Sequence, residues 1–338
     1  MTGRAVVVGV RVWLAGVVVW LAIVPGLILP AAQLAAEADL PGIKAGKTGD
    51  SAAAAKKFQQ FIRTRRDSNG SPVALETAIL RYEPKDKQSA AKYPGLVVDL
   101  VSVVHVGEKS YYEQLNKQFT GYDCVLYELV APEGTRIPKG GGQRSAHPVS
   151  ALQQLLKSML ALEFQLEHID YTAENMVHAD LSPEQFSAAM RQRGESWLTM
   201  MLRIIGYAMA REGASKSSDV ELLRALFDKN RALALKRVMA EQFEEMGGSL
   251  MVFDPPEGSA LITDRNKAAM QVLHKQIEAG KRKIAIFYGG AHMPDFDQRL
   301  QKELALKPTS TRWLVAWDLT DKQQAKVRKE QPKALQRQ

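Results

Sequence analysis

Apolar residues in this chain fall into short runs separated by stretches of helical spacing, and that alternation sets the expected fold. Val73–Tyr82, Gly95–Val104, Tyr122–Val130, Lys283–Tyr288 and Thr311–Leu319 are predicted as strands of a buried sheet. Two of them repeat one plan. Gly95–Val104 runs into His105, Val106 and Gly107 and then into a helical pattern over Lys109–Phe119. Lys283–Tyr288 runs into Gly289, Gly290, Ala291, His292 and Pro294 and then into a helical pattern to about Ala305. Each unit is a strand, a histidine-bearing turn and a helix. The fold class expected is α/β over residues 70–320, a central mixed sheet built from two βα halves.

Between the halves, residues 150–247 are predicted as a large helical insertion. Ser182, Pro183 and Gln185 form a capping box with proline at the first helical position, and the helix is expected to run toward Arg211. Its stretch from Trp197 to Ile205 is apolar nearly all round, which predicts burial. A second helix over Asp219–Met246 is expected to end at Gly247 and Gly248. After the turn from Asp254 to Gly258, a helix over Thr263–Ala279 stops at Gly280 and leads back to the sheet.

The N-terminus changes where this domain is expected to work. Arg4 and Arg11 precede the apolar stretch Val12–Leu29, and Ala36 and Ala38 supply the small residues of a cleavage site before Asp39. Residues 1–38 are therefore predicted as a signal peptide or an N-terminal membrane anchor, with Pro25, Gly26 and Pro30 favouring cleavage over a spanning helix. The protein is expected to be exported: periplasmic, secreted or tethered to the membrane through that segment. Residues 39–69, rich in Ala, Gly, Lys and Ser, are predicted as a linker with one helical piece around Ala52–Arg65, and residues 321–338 as a basic tail.

Composition narrows the partners. With 46% hydrophobic and 24% charged residues, the 338-residue chain is neither disordered nor a multi-span membrane protein. The formal charge of +8 has acidic residues interspersed and no aromatic-plus-basic cluster, which argues against nucleic acid; attraction to an anionic envelope surface suffices. Cys124 is the sole cysteine, so no internal disulfide and no cysteine-based zinc site can form, and within its apolar run it is expected to be a small buried hydrophobe.

Candidate chemistry follows from the strand ends, where ligands gather in open α/β sheets. His105, Glu128 and His292 all fall there, and two imidazoles with one carboxylate suit a divalent zinc, manganese, cobalt or iron ion with a position open for water. The alternative is a histidine satisfied within a tight turn. Gly289 and Gly290 would let the backbone bend sharply beside His292. Arg265 and Asn266 suit a substrate carboxylate or oxyanion and a water or amide, respectively, or else a helix-end ion pair. His178 and Asp180 are weaker candidates, with a turn or capping role favoured for Asp180; His147, His168 and His274 have no partner pattern.

Ser102-Val-Val-His105, Tyr127-Glu128, Asp264-Arg265-Asn266 with Met270, and Tyr288-Gly-Gly-Ala-His292 with Pro294 together resemble the TraB, PrgY and Tiki family, which includes GumN-like proteins. That family is marked by two Gly-x-x-His motifs, a glutamate after the first and an Arg-Asn or similar pair before the second. The resemblance spans Gly95–Glu133 and Leu261–Leu300, and Ser102 stands where the first motif has glycine. It implies the fold of the erythromycin-esterase and ChaN-like proteins. It also implies metal-binding or catalytic roles for His105, Glu128 and His292, with Arg265 and Asn266 in support. The expected function is extracytoplasmic metal-dependent hydrolysis of a peptide or protein, through water activated by manganese, cobalt or zinc. A protein of the same fold that binds a peptide or signal without turnover is the alternative, and a metal-free esterase with a histidine base is a third.

Overall fold

The structure, a computed structural model, describes residues 56–321 apart from 133, 136, 139, 141–159, 197–198, 200–220, 222–223, 226 and 247–253. The predicted leader, most of the linker, the basic tail, His147 and most of the apolar stretch from Trp197 to Ile205 lie outside the described residues, as does the Gly247–Gly248 cap.

The strands are β1 (Ile62–Arg66), β2 (Pro72–Pro84), β3 (Val97–Val103), β4 (Val106–Gly107), β5 (Cys124–Tyr127), β6 (Glu163–Phe164), β7 (Met176–His178), β8 (Lys283–Gly289) and β9 (Leu306–Asp318). The helices are α1 (Lys87–Lys92), α2 (Lys109–Phe119), α3 (Gln165–His168), α4 (Pro183–Gln192), α5 (Arg231–Met246), α6 (Arg265–Glu278) and α7 (Met293–Glu303). Seven strands form one mixed sheet in the order β1-β2-β3-β8-β5-β7, with β9 also paired to β2. From β3 to β7 the neighbours are parallel. On the other flank, β1, β3 and β9 all run antiparallel to β2.

Two apolar layers flank the sheet. Val98 and Leu100 of β3 and Ile284 and Ile286 of β8 pack with Met270 and Leu273 of α6 and Phe296 and Leu300 of α7. Val101, Val103, Ala285 and Phe287 face the other way, toward Tyr111, Tyr112 and Leu115 of α2, Phe186 of α4 and Phe243 of α5. Central parallel strands buried on both faces need continuous apolar sequence, which is why β3, β5 and β8 appear as unbroken runs.

Several expected elements change. Ile62–Arg66 is a strand, not the end of a helical piece in a linker: Ile62 and Thr64 are buried while Arg65 is exposed, the period of a half-covered strand. The described part of the predicted insertion is not all helical, since β7 joins the main sheet beside β5 and β6 pairs with β4. Helix α4 keeps its predicted capping box at Ser182 and Gln185 but stops at Gln192, because Gly194 turns the chain at φ 65°. The helix predicted from Asp219 is interrupted by a turn before α5 begins at Arg231. Finally, β9 is not a doubly buried strand: residues 307–312 are exposed, and it starts earlier than expected, at Leu306.

Cys124 is buried in the sheet with its thiol pushed up to about 11 by burial, so it remains a protonated, inert hydrophobe near neutral pH. Among the described residues no helix is long and apolar enough to cross a membrane.

Candidate functional site

The parallel register brings four chain segments to one end of the sheet. Val103 of β3 lies opposite Gly289 of β8, Tyr127 of β5 opposite Phe287, and His178 of β7 opposite Tyr127. The residues just beyond those strand ends are His105, the turn Gly290–His292, Glu128 and Asp180. A short π-helical turn, Ala260–Asp264, then delivers Arg265 and Asn266 at the start of α6.

Glu128, Arg265 and His292 are brought together. Arg265 Nη2 donates to Glu128 Oε1 at 2.8 Å, and His292 Nε2 stands 3.5 Å from both that oxygen and Arg265 Nη1. The other carboxylate oxygen, Oε2, accepts the Gly289 backbone N–H at 2.7 Å. All three side chains are sealed from solvent. Burial pushes the Glu128 carboxyl up, but Arg265, with His292 behind it, more than offsets this and holds it well below the usual carboxylate range. Burial disfavours the charged form of Arg265, and Asp180 and Glu128 reverse that, leaving its pKa raised.

Asp180 belongs to this cluster, the less favoured of its two expected roles, while its Oδ1 also accepts the Leu181 backbone N–H at 2.8 Å. It grips Arg265 through two bonds, Nε to Oδ1 at 3.0 Å and Nη2 to Oδ2 at 2.6 Å. Two carboxylates, Glu128 and Asp180, thus meet one guanidinium, so the cluster carries a formal excess of one negative charge. Its partner lies 85 residues away, which hid the pairing from local sequence patterns. His178 stays outside, donating from Nε2 to the Leu129 carbonyl at 2.6 Å.

His105 and His292 each have one ring nitrogen tied to a side-chain amide. His105 Nδ1 meets Gln165 Oε1 at 2.7 Å, and Gln165 Nε2 donates onward to the Tyr171 hydroxyl at 2.8 Å. His292 Nδ1 meets Asn266 Oδ1 at 2.6 Å, and Asn266 Nδ2 donates to the His292 carbonyl at 3.0 Å and to Asp295 Oδ2 at 2.8 Å. In a neutral ring, a carbonyl oxygen against Nδ1 calls for the proton there and leaves Nε2 as a lone pair. His105 Nε2 is buried and has no hydrogen-bond partner among the described residues. Burial drives the His105 pKa down, only partly countered by Glu128 and Gln165, so the ring is neutral at neutral pH. Gln165, Tyr171 and Asp295 were missed by sequence reasoning, since nothing local marks an amide that meets a histidine from another element.

Among these groups, the sign of fit to a divalent ion is His105 Nε2, buried and without a hydrogen-bond partner among the described residues. Glu128 is the less available member, with both oxygens already engaged. Among the described residues, the group whose donor atoms lie within 4.8 Å of one another is instead Glu163, Glu167 and His168, half-buried beside Gln165. His105, Glu128 and His292 are more widely spread.

The glycines matter unequally. A Cβ on Gly290 would overlap Ile62 Cδ1, lie 2.9 Å from Ile62 Cγ1 and fall 3.1 Å from Ser102 Oγ. Ser102 sits beneath the second histidine turn, its buried hydroxyl without a partner among the described residues. Gly290→Ala is expected to cost about 1–3 kcal/mol by overpacking, and Ile62→Val, which removes the offending carbon, should recover part of that in urea unfolding of the double variant.

No protein-family model matches the chain, and neither does any curated protein or solved structure.

Proposed function

We propose that the protein is an exported, metal-dependent hydrolase that cleaves peptide or protein substrates at the site formed by His105, Glu128 and His292, as the resemblance to the TraB, PrgY and Tiki family implies. The observation that carries this reading is a buried imidazole nitrogen, His105 Nε2, with no hydrogen-bond partner among the described residues. Burying such an atom costs about 1–3 kcal/mol, which an ion or substrate atom at Nε2 would relieve.

His105 and His292 would hold the ion through Nε2, with Glu128 Oε1, 3.5 Å from His292 Nε2, as the third group. A divalent ion in that position, whether manganese, cobalt or zinc, supplies Lewis acidity, acidifying water and polarising a substrate carbonyl. The chain's own contributions are distinct. Asn266 keeps the His292 ring proton on Nδ1, and Gln165 stands against His105 Nδ1. Asp180 keeps Arg265 in place while the guanidinium neutralises negative charge developing beside Glu128. The buried setting strengthens each of these interactions.

A second reading has its own support. Arg265 already engages Glu128 Oε1, so Arg265 could serve as the electrophile and His292 as a general base with no ion present. The test is metal analysis of purified full-length protein beside His105→Ala and His292→Ala, with cleavage of a peptide library before and after chelation. The metal reading expects stoichiometric metal in wild type, its loss in both folded variants, and activity that chelation abolishes. Activity that survives a strong chelator would favour the histidine base, and tight peptide retention without products would favour a non-catalytic binding protein.

A further inference from the structure

The two histidines are held by amides that are themselves held, and the outer partners differ in kind. Asn266 Nδ2 faces two groups that only accept, the His292 carbonyl and Asp295 Oδ2, and Arg299 Nε anchors that same Asp295 oxygen at 2.6 Å. Turning the Asn266 amide over would set its oxygen against both acceptors, so one orientation is imposed. That orientation presents Oδ1 to His292 Nδ1. Gln165 Nε2 instead faces the Tyr171 hydroxyl, which both donates and accepts. Turned over, Gln165 would accept from Tyr171 and donate to a bare His105 Nδ1, and no polar group would be left worse off.

We propose that Asp295 is a positioning residue that, acting through Asn266, locks the His292 ring proton on Nδ1, whereas Tyr171, acting through Gln165, leaves His105 free to populate both neutral tautomers. The functional importance of this difference rests on the reading of the two histidines as the working groups. His292 then offers an invariant Nε2 lone pair. His105 is the adaptable member, able to present Nε2 as a lone pair or as a donor according to what stands before it.

The experiment reads ring protons directly, using full-length protein labelled with nitrogen-15, stripped of metal and held well above the ordinary histidine range. Long-range proton–nitrogen spectra distinguish the tautomers, with His292→Asn and His105→Asn providing assignments. Wild-type His292 is expected to show a protonated Nδ1 and a bare Nε2, and His105 intermediate shifts at both nitrogens. Asp295→Ala should move His292 alone toward the intermediate pattern, since the His292 carbonyl is then the one acceptor left holding the Asn266 amide. Asp295→Asn, whose Oδ1 still accepts from Asn266, should restore the wild-type pattern, and Tyr171→Phe should alter His105 alone. A wild-type His292 with its proton on Nε2, or a folded Asp295→Ala protein with His292 unchanged, would overturn the lock. A wild-type His105 fixed in one tautomer would overturn the second half. If Asp295→Ala does not fold, wild type and Asp295→Asn still decide, since an intermediate His292 pattern in wild type or an Asp295→Asn protein that loses the Nδ1 proton refutes the proposal. Absence of metal from the unstripped protein would sink the hydrolase reading and leave this result standing.

Discussion

Arg265→Met is expected to destabilise the protein by about 3–5 kcal/mol, the scale found when one partner of a buried ion pair is removed. Arg265 is fully enclosed and meets two carboxylates, Glu128 and Asp180, that are as inaccessible as itself. Methionine fills much of the volume but leaves both carboxylates without their counter-charge. The loss should therefore be electrostatic and depend on pH. In wild type Glu128 is held well below the carboxylate value of an unfolded chain. Its contribution to stability is complete above that unfolded value and disappears as the pH falls through the folded one. In the variant the balance reverses, because burial without Arg265 pushes the carboxyl up. Acidification then relieves the variant while it weakens wild type, and the gap between them should narrow. Urea unfolding midpoints at neutral and mildly acidic pH measure this directly. A gap that does not change with pH would mean that the damage lies in packing.

His105→Leu is expected to show the opposite separation: stability within about 1 kcal/mol of wild type, and peptide hydrolysis reduced by about 10²–10⁴-fold, the range for loss of a positioned acid–base or ligand group. His105 Nε2 gives the folded protein no hydrogen bond, so nothing is lost there on substitution. The one partner left behind is Gln165 Oε1, whose amide remains tied to Tyr171. Leucine also removes the cost of burying a bare nitrogen. Turnover and thermal unfolding of the same preparation make the check. A variant that keeps full activity would remove His105 from the working set, and one that unfolds would make it structural.

The legible parts of this molecule are those in which one element carries its own signal. The strands β3, β5 and β8 are doubly buried, so their sequences are continuous apolar runs, and the turns after β3 and β8 announce themselves by histidine and glycine. Strand β1 was illegible because Arg63 and Arg65 occupy its outer positions, Arg63 lying over Trp313 and both arginines bonding Glu76, so its apolar content is too small to register. The first half of β9, Lys307–Arg312, is an exposed edge and needs no apolar residues. Within the site, His105, Glu128, Arg265, Asn266 and His292 were all singled out from sequence, whereas Gln165, Tyr171 and Asp295 were not. Those three matter only through a hydrogen bond to another segment, and a single sequence does not encode which polar residue meets which. Asp180 lay between, noticed but assigned to a turn.

The pairing of β2 with β9 joins Ala74 to Asp318 and Pro84 to Leu306, uniting stretches that lie far apart along the chain. Until these meet, β2 lacks the neighbour that covers one whole edge, and closing so large a loop must precede the reward of zipping the two strands. Refolding of this flank should therefore be slow for a domain of this size.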